Sequence, residues 1–576
     1  MTTTLSTNHQ MGFDLIRDSP VGQLINHLSG GRLLPYADQR PGYTISARFL
    51  TSEKRGQKEK EIASDAVTLC GDVCEKKTED SEATTPTPLG LDRELTLSSD
   101  VTATIEIPDP YLVDWEINDS DTPRNWSSSK RAFVAFTISF LTFSVYIGSA
   151  IYTSCIPGLM QEFDVSLVRA TLGLTLYILG YGIGPMFFTP LQELPVLGRN
   201  PGYIVTLFLF VVCQIPLVTA TNMNTVLAMR FLTGFFGSPA LATGGASMGD
   251  IYPASQFPYV LGVWCLGAVA GPILGPVIGG FAAQAESWRW PILELIWISV
   301  IALIFLALFL PETHGPTILL RRAERLRKLT GNDELRTAGE RAAAEESVRE
   351  IVYGALVMPL ILSVEPALMF ANVYLGFAYA LFYLWFEAFP LVFTDIYHFN
   401  EGVTGLPFLG FLVSSTITYA LYCLYQKYHI NPRYARAEAA GKIVAPEIKL
   451  EIGLIGSIFI PTSVLIFGFA SRASVHWMVP VLGAALYLPG IFLIFQSILN
   501  YVTAAYPDYQ APVLAGNDLF RASIASVFPL FGRAFFHNMG LGPGSALLAG
   551  ISVALMGVYW LLLKYAHILR RRSKYA

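Results

Sequence analysis

The chain has 576 residues, of which 52% are hydrophobic and only 14% charged, with a formal net charge of −5. Soluble domains carry roughly 25% charged residues, so the deficit points to lipid as the main solvent, and the small net charge gives no basis for binding nucleic acid. The six cysteines suggest neither a disulfide framework nor a metal site, because Cys155, Cys213, Cys265 and Cys423 lie in apolar runs while Cys70 and Cys74 sit in a polar tail without histidine partners.

Residues 1–125 are rich in Ser, Thr, Asp, Glu and Pro, which predicts a mostly disordered tail. The opening Met1-Thr-Thr-Thr-Leu-Ser has no basic segment followed by an apolar core, so no cleavable signal is expected. From Ala132 onward, apolar runs recur near 132–153, 168–189, 202–220, 225–248, 258–282 and 291–310. A second set follows near 366–389, 403–425, 452–470, 475–499, 511–536 and 541–563. Each approaches the roughly 20 residues that a membrane-crossing helix needs. The expectation is an all-α membrane protein with twelve transmembrane helices in two six-helix halves, at 126–312 and 359–565. A central loop at 313–358 joins them, and a basic tail at 566–576 follows. Within that loop, 321–349 reads either as an amphipathic helix or as a solvated linker.

Lys and Arg set the expected orientation. Arg124, Lys130 and Arg131 precede the first run, and the central loop carries Arg321, Arg322, Arg325, Arg327 and Lys328. The loop after the eighth run carries Lys427, Arg433, Arg436, Lys442 and Lys449, and the chain closes on Arg570, Arg571, Arg572 and Lys574. The alternate loops hold little beyond Arg169, Arg289 and Arg472. Both termini are therefore expected in the cytoplasm.

Polar residues inside apolar runs are the candidates for function, since an ionisable group in the membrane is costly unless it has a task or a partner. Arg230 stands in the fourth run, in Met229-Arg230-Phe-Leu-Thr-Gly234, and reads either as a working charge or as a structural Arg snorkelling to the interface. Glu294 and Glu387 are carboxylates in the sixth and seventh runs, and each has an interfacial alternative. Asp518 and Arg521 are three residues apart on one helix face, either as a self-neutralising pair or in proton movement. Among the aromatics of the seventh run, Tyr374, Phe377 and Tyr383 are candidates for stacking flat lipophilic substrates, with packing as the alternative for each.

The fifth run holds glycines four apart at Gly267, Gly271, Gly275 and Gly279, with Pro272 and Pro276 behind two of them. Small residues at this spacing strip a helix face to bare backbone and admit a close neighbour. In lipid, prolines are tolerated because adjacent helices can satisfy the groups they free. The expectation is a helix built to bend and slide.

Between the second and third runs lies Pro190-Leu-Gln-Glu193-Leu-Pro-Val-Leu-Gly198-Arg199-Asn-Pro201, an acidic residue, a tight turn and an Arg at a helix junction. This loop resembles the Gly-x-x-x-Asp-Arg-x-Gly-Arg-Arg signature of the major facilitator superfamily, with Glu193 at the acidic position and Gly198-Arg199 for the later Gly-Arg. It departs from the pattern at Leu194 and Asn200 and by a longer turn, so the junction is expected to be wired differently. The Arg230 stretch is similar to that family's fourth-helix motif, and Gly271-Pro272 to Gly280 to its fifth-helix exporter signature. Trp288-Arg289-Trp290 and Pro311-Glu312-Thr313 are similar to further family turns. The form is that of fungal twelve-span drug:proton antiporters. The resemblance implies a monomeric plasma-membrane exporter that exchanges protons for lipophilic drugs or toxins by alternating access. It also implies that Arg230 couples protons, that Glu193, Gly198 and Arg199 latch one side, and that the glycine ridge is the sliding joint. The alternative on the same fold is an importer of a nutrient or polyamine. No phosphate-binding loop or catalytic grouping stands out, so neither an enzyme nor a cofactor is expected.

Overall fold

The computed structural model describes residues 14–40, 49, 109, 111–116, 118–253, 255–345, 347–441 and 444–575. Cys70, Cys74, Lys442 and most of the expected tail lie outside the described residues. Twelve helices among them are long and apolar enough to cross a membrane. Spans 1 to 6 are Ser128–Phe163, Leu167–Glu193, Arg199–Val218, Met223–Ile251, Phe257–Ala285 and Trp290–Phe309. Spans 7 to 12 are Pro366–Thr394, Glu401–Ala439, Pro446–Ala470, Met478–Ala505, Gln510–Met539 and Leu541–Arg572. Each apolar run of the sequence coincides with one of them. Spans 8 and 12 run on past the end of the apolar stretch, to Ala439 and Arg572, because a helix continues past the hydrocarbon wherever its next turns are polar and good helix formers.

The two halves pack by one scheme. Span 1 lies against span 5 as span 7 lies against span 11; the pairs 2 and 4, 3 and 4, and 3 and 6 recur as 8 and 10, 9 and 10, and 9 and 12. The halves meet along two seams, span 2 against span 11 and span 5 against span 8. In the first, Thr175 Oγ1 donates to the Ser526 carbonyl at 2.8 Å. In the second, the Gly402 amide donates to Gln284 Oε1 at 2.8 Å.

The glycine ridge faces inside its own half. A Cβ on Gly271 would stand 2.8 Å from the Ile147 backbone nitrogen, and one on Gly275 2.7 Å from that of Ile151, both on span 1. Gly267 and Gly279 face Ser139 and Ile151 of the same helix. Span 5 remains one helix through Pro272 and Pro276. The ridge expected as a sliding joint is thus the contact between spans 1 and 5, and span 5 meets the other half through Pro276 and Gly280, opposite Gly405 and Glu401.

The chain divides into two compact units, the bundle with residues 1–34, 118–317 and 346–576, and a smaller one from 35–117 and 318–345. In the smaller unit Phe49, Val113, Ala323, Leu326 and Leu335 form a core, and Leu112–Val113 pairs in parallel with Arg336–Thr337. Arg325 pairs with Asp38 at 2.7 Å and Arg341 with Asp109 at 2.6 Å. Acidic residues of the expected disordered tail therefore meet basic residues of the central loop. That loop is a helix, Gly315–Thr330, a turn at Gly331 and a second helix, Ala338–Glu345. Within the bundle unit, the tail also contributes a helix at Pro20–Leu28.

Gly275→Leu is expected to force spans 1 and 5 apart and to destabilise the purified protein by about 1–3 kcal/mol or more, read as a lower thermal midpoint in detergent. Gly557→Leu, where nothing stands within 4 Å of the added carbon, is expected to leave the midpoint unchanged.

Candidate functional site

Arg230 is fully buried in span 4. Its Nε donates to the Gly173 carbonyl of span 2 at 3.1 Å and its Nη1 to the Gly148 carbonyl of span 1 at 2.8 Å. The guanidinium carbon lies 4.3 Å from the ring centroids of both Tyr152 and Tyr177. Those tyrosines send their hydroxyl protons to the carbonyls of Ala170 and Val145, which fixes the rings. The snorkelling alternative is corrected: the side chain turns inward and is held by carbonyl dipoles and π faces. Nη2 has no hydrogen-bond partner among the described residues. The buried cation is thus held by two charge-assisted hydrogen bonds and two ring faces, each ring contact worth about 2 kcal/mol when desolvated.

At the meeting of the halves, Tyr146 and Tyr181 of spans 1 and 2 face Tyr379 and Tyr383 of span 7. Tyr146 and Tyr379 are hydroxyl partners, and the Tyr181 hydroxyl donates to that of Tyr379 at 2.5 Å. Tyr383 lies 3.4 Å from both Tyr181 and Tyr379. Beside them Arg521 of span 11 lies 4.9 Å from the Tyr379 ring and 5.0 Å from that of Phe495. It pairs with Asp518 at 2.5 Å. A self-neutralising pair is present, and it lies against the aromatic cluster that spans the two halves.

Of the aromatic candidates, Tyr383 alone is in this cluster. Tyr374 packs on Phe370 and Tyr559, and Phe377 on Phe528, all within the second half. Sequence reasoning missed Tyr146 and Tyr181; the available signal was a phenol in an apolar helix, whose hydroxyl needs a partner when buried.

Further along the same interface a cavity of about 220 Å³ opens toward the 1–2 and 7–8 loops. Both halves line it, with Ser154, Leu167 and Gly280 facing Phe386, Glu387 and Phe408. Glu387 is nearly buried and is a carboxylate of the cavity wall, with Arg533 and Asp395 also lining it. Glu294 stands apart, half-buried on span 6, and lines neither the cavity nor the tyrosine cluster.

At the other end of the bundle, the junction of spans 2 and 3 is built on Glu312. Its carboxylate accepts the amides of Arg199 at 3.1 Å and Asn200 at 3.3 Å, the first residues of span 3. It also accepts those of Thr313 and His314, both at 3.0 Å. Helix N-termini present unpaired N–H groups and a positive dipole end, and a carboxylate from the end of span 6 satisfies both. Gly198 has φ +74°, and a Cβ there would stand 2.5 Å from Glu312 Oε2, so the position requires glycine on both counts. Burial and the nearby Arg199 guanidinium hold the His314 imidazole down at about 4, so it stays neutral at physiological pH.

Arg199 Nε pairs with Asp250 at the end of span 4, at 2.7 Å. Glu193, expected to latch this side together with Arg199, forms no ion pair with it among the described residues but lies within electrostatic reach of its guanidinium. Glu193 is the exposed last residue of span 2, while Arg199 opens span 3 with its side chain turned to span 4. Neither Asp250 nor Glu312 stood among the expected site residues.

The sequence model of the family described as Major Facilitator Superfamily matches residues 138–529. The chain is 43% identical to "Transporter mfs1" of Schizosaccharomyces pombe over 81% of this chain and 88% of that protein. It is 40% identical to "Fluconazole resistance protein 1" of Saccharomyces cerevisiae over 82% of this chain and 86% of that protein. The fold is similar to that of the xylose transporter XylE from E. coli in a partially occluded inward open conformation, with TM-score 0.53 and 15% identity over 75% of this chain and 98% of that one.

Asp250→Asn is expected to leave the buried Arg199 without its counter-charge and to cost up to about 3 kcal/mol in the detergent-solubilised protein, since removing one partner strands the other. Glu193→Gln, at an exposed position, is expected to change stability by less than about 0.5 kcal/mol. Thermal unfolding of both variants checks that Asp250 is the main counter-charge of Arg199.

Proposed function

The chain belongs to the major facilitator superfamily, and on that premise we propose that it exports lipophilic drugs, toxins or related small molecules in exchange for protons. It works as a monomer in the plasma membrane with both termini in the cytoplasm. The observation that carries the direction of transport is the 40% identity, over most of both chains, to a protein named for fluconazole resistance. A membrane transporter can confer resistance to a compound by removing it from the cell. The basic loops support the orientation through the positive-inside rule, which sets the Glu312 junction on the cytoplasmic side and the cavity on the outer side.

Substrate binds between the halves, against the Tyr146, Tyr181, Tyr379 and Tyr383 cluster. Phenol faces suit flat lipophilic molecules, and hydroxyls that now bond one another can turn to a bound ligand. The halves then rock to alternate access. Arginine does not release its proton under any physiological condition. Arg230 therefore couples by biasing other groups: its fixed positive charge disfavours protonation of the proton-carrying carboxylates more in the conformation that brings them closer. Asp518, in the centre, and Glu387, at the outer cavity, are the carboxylates that carry the proton. When Asp518 is protonated it releases Arg521, and the pair reforms after the proton leaves inward. The Glu312, Gly198, Arg199 and Asp250 junction latches the cytoplasmic ends of spans 2, 3, 4 and 6.

The test uses inside-out vesicles from cells expressing the protein, with an acidic lumen and a fluorescent lipophilic substrate outside. Gradient-dependent uptake that a protonophore removes is expected. Arg230→Ala should lower it by about a hundredfold, as loss of a charge interaction worth about 3 kcal/mol would, at an unchanged amount of protein in the membrane. Net accumulation of the substrate in intact expressing cells would instead identify an importer.

A further inference from the structure

The helix Pro20–Leu28 is mounted with its polarity reversed. Ser19 accepts the Gly22 amide at 3.1 Å and starts the helix, with Pro20 at its first position. The side turned to the protein carries Gly22 and Asn26, small and polar. Asn26 Nδ2 donates to the Leu34 carbonyl at 2.8 Å, closing the chain back over that face through a turn at Gly30 and Gly31. The side turned outward carries Leu24, Ile25 and Leu28 with His27 at its edge, and of these Leu24 is 57% and Leu28 76% exposed. Ile16 before the helix and Leu33 after it are exposed beside them. In water a short helix of this kind would turn over, because burying a leucine gains roughly 1.5–3 kcal/mol and burying an asparagine gains nothing comparable.

The segment is nevertheless fixed to the bundle. Asp18 pairs with Lys130 at the start of span 1 at 2.8 Å, with both side chains mostly buried. Lys130 also lies 4.3 Å from the Trp126 ring. Leu15 is buried in the main hydrophobic core, and Pro20–Leu28 packs against span 6. Span 6 carries the exposed apolar residues Trp297, Ile301 and Ile304 and span 1 the exposed Phe136, the surfaces these helices turn to lipid. The leucine face therefore adjoins the lipid-facing belt, at the level where span 1 begins.

We propose that residues 14–34 form an interfacial strap whose Leu24, Ile25 and Leu28 insert into the cytoplasmic leaflet, while Asp18 and Lys130 pin it to span 1. An amphipathic helix lying in the interface buries its apolar face into the headgroup–acyl boundary, and this one has that face outward because its other side is held by protein. The occupant is the bilayer, rather than a second copy, because the face is continuous with lipid-exposed spans.

The test is nitroxide accessibility in the full-length protein, held as one copy per lipid nanodisc, with natural cysteines replaced by serine and transport retained. Labels at Leu24→Cys and Leu28→Cys are compared with one at Glu438→Cys, on the exposed polar end of span 8. The expected result is that access of a water-soluble nickel chelate is about fivefold lower at the strap than at Glu438, while oxygen access is higher, as for side chains a few ångströms below the headgroups. Equal nickel access at all three positions would overturn the proposal. Protection present in detergent at high protein concentration but lost in single-copy nanodiscs would also overturn it, in favour of a second copy. Asp18→Asn supplies an independent reading: the strap's amide exchange should rise in residues 14–34 while that of span 6 is unchanged.

Discussion

The approach of span 5 to span 1 at backbone distance is the constraint on which the first half depends. Lipid tails are as apolar as leucine, so helices in a bilayer gain little by hiding apolar side chains from one another; they associate by close contact and polar satisfaction. Gly271 and Gly275 supply the contact, each leaving less than 3 Å for a carbon that is not there. Span 4 is seated against span 2 in the same way, where Gly234 faces the Tyr177 backbone. With spans 1, 2 and 4 drawn together, the carbonyls of Gly148 and Gly173 come within reach of Arg230. The buried cation is a consequence of that packing: were the helices a side chain further apart, no carbonyl would reach the guanidinium.

The same economy operates at the helix ends. Glu312 serves four backbone amides, two at the start of span 3 and two in its own turn. One carboxylate thereby ties the start of span 3 to the turn after span 6, and Asp250 adds the end of span 4 through Arg199. The second half holds no equivalent ionic junction between spans 8 and 9 of this kind among the described residues; there Arg433 and Glu451 pair at 2.8 Å on exposed side chains. Exposed pairs contribute little, so the 2–3 and 8–9 junctions differ in how firmly they are tied.

The twelve spans were legible because hydropathy over a window of about 20 residues is a local property. The glycine ridge was legible as a contact face, but not its partner, since the spacing of four names a helix face and says nothing of which neighbour fills it. The ion-pair partner of Arg199 was hidden for a related reason. A motif places an acidic residue in the loop, whereas the pairing of Arg199 depends on where span 4 ends, some fifty residues later in the chain. Tyr146 and Tyr181 carried no local mark that they would meet span 7. The strap was hidden by its reversed polarity: Ser19, Gly22, Asn26, Ser29, Gly30 and Gly31 read as a flexible polar tail, and only the docked geometry turns the intervening leucines into one face.

Span 5 explains how such a bundle can be rigid and mobile at once. Successive residues of a helix point about 100° apart, so Gly275 and Pro276 address different neighbours. Gly275 is locked against Ile151 of its own half, while the Pro276 carbonyl lies beside Gly405 of the other. The first contact cannot loosen without exposing bare backbone to lipid, where each unsatisfied or poorly packed group is costly. The second is made between backbone surfaces and borders a cavity already open to both halves, and the hydroxyl contacts of the tyrosine cluster across the same interface can be exchanged for water or ligand one at a time. Separation is therefore cheapest along the seams between the halves, where span 5 presents Pro276 and Gly280, and most expensive inside each half, where the same helix presents its glycine ridge.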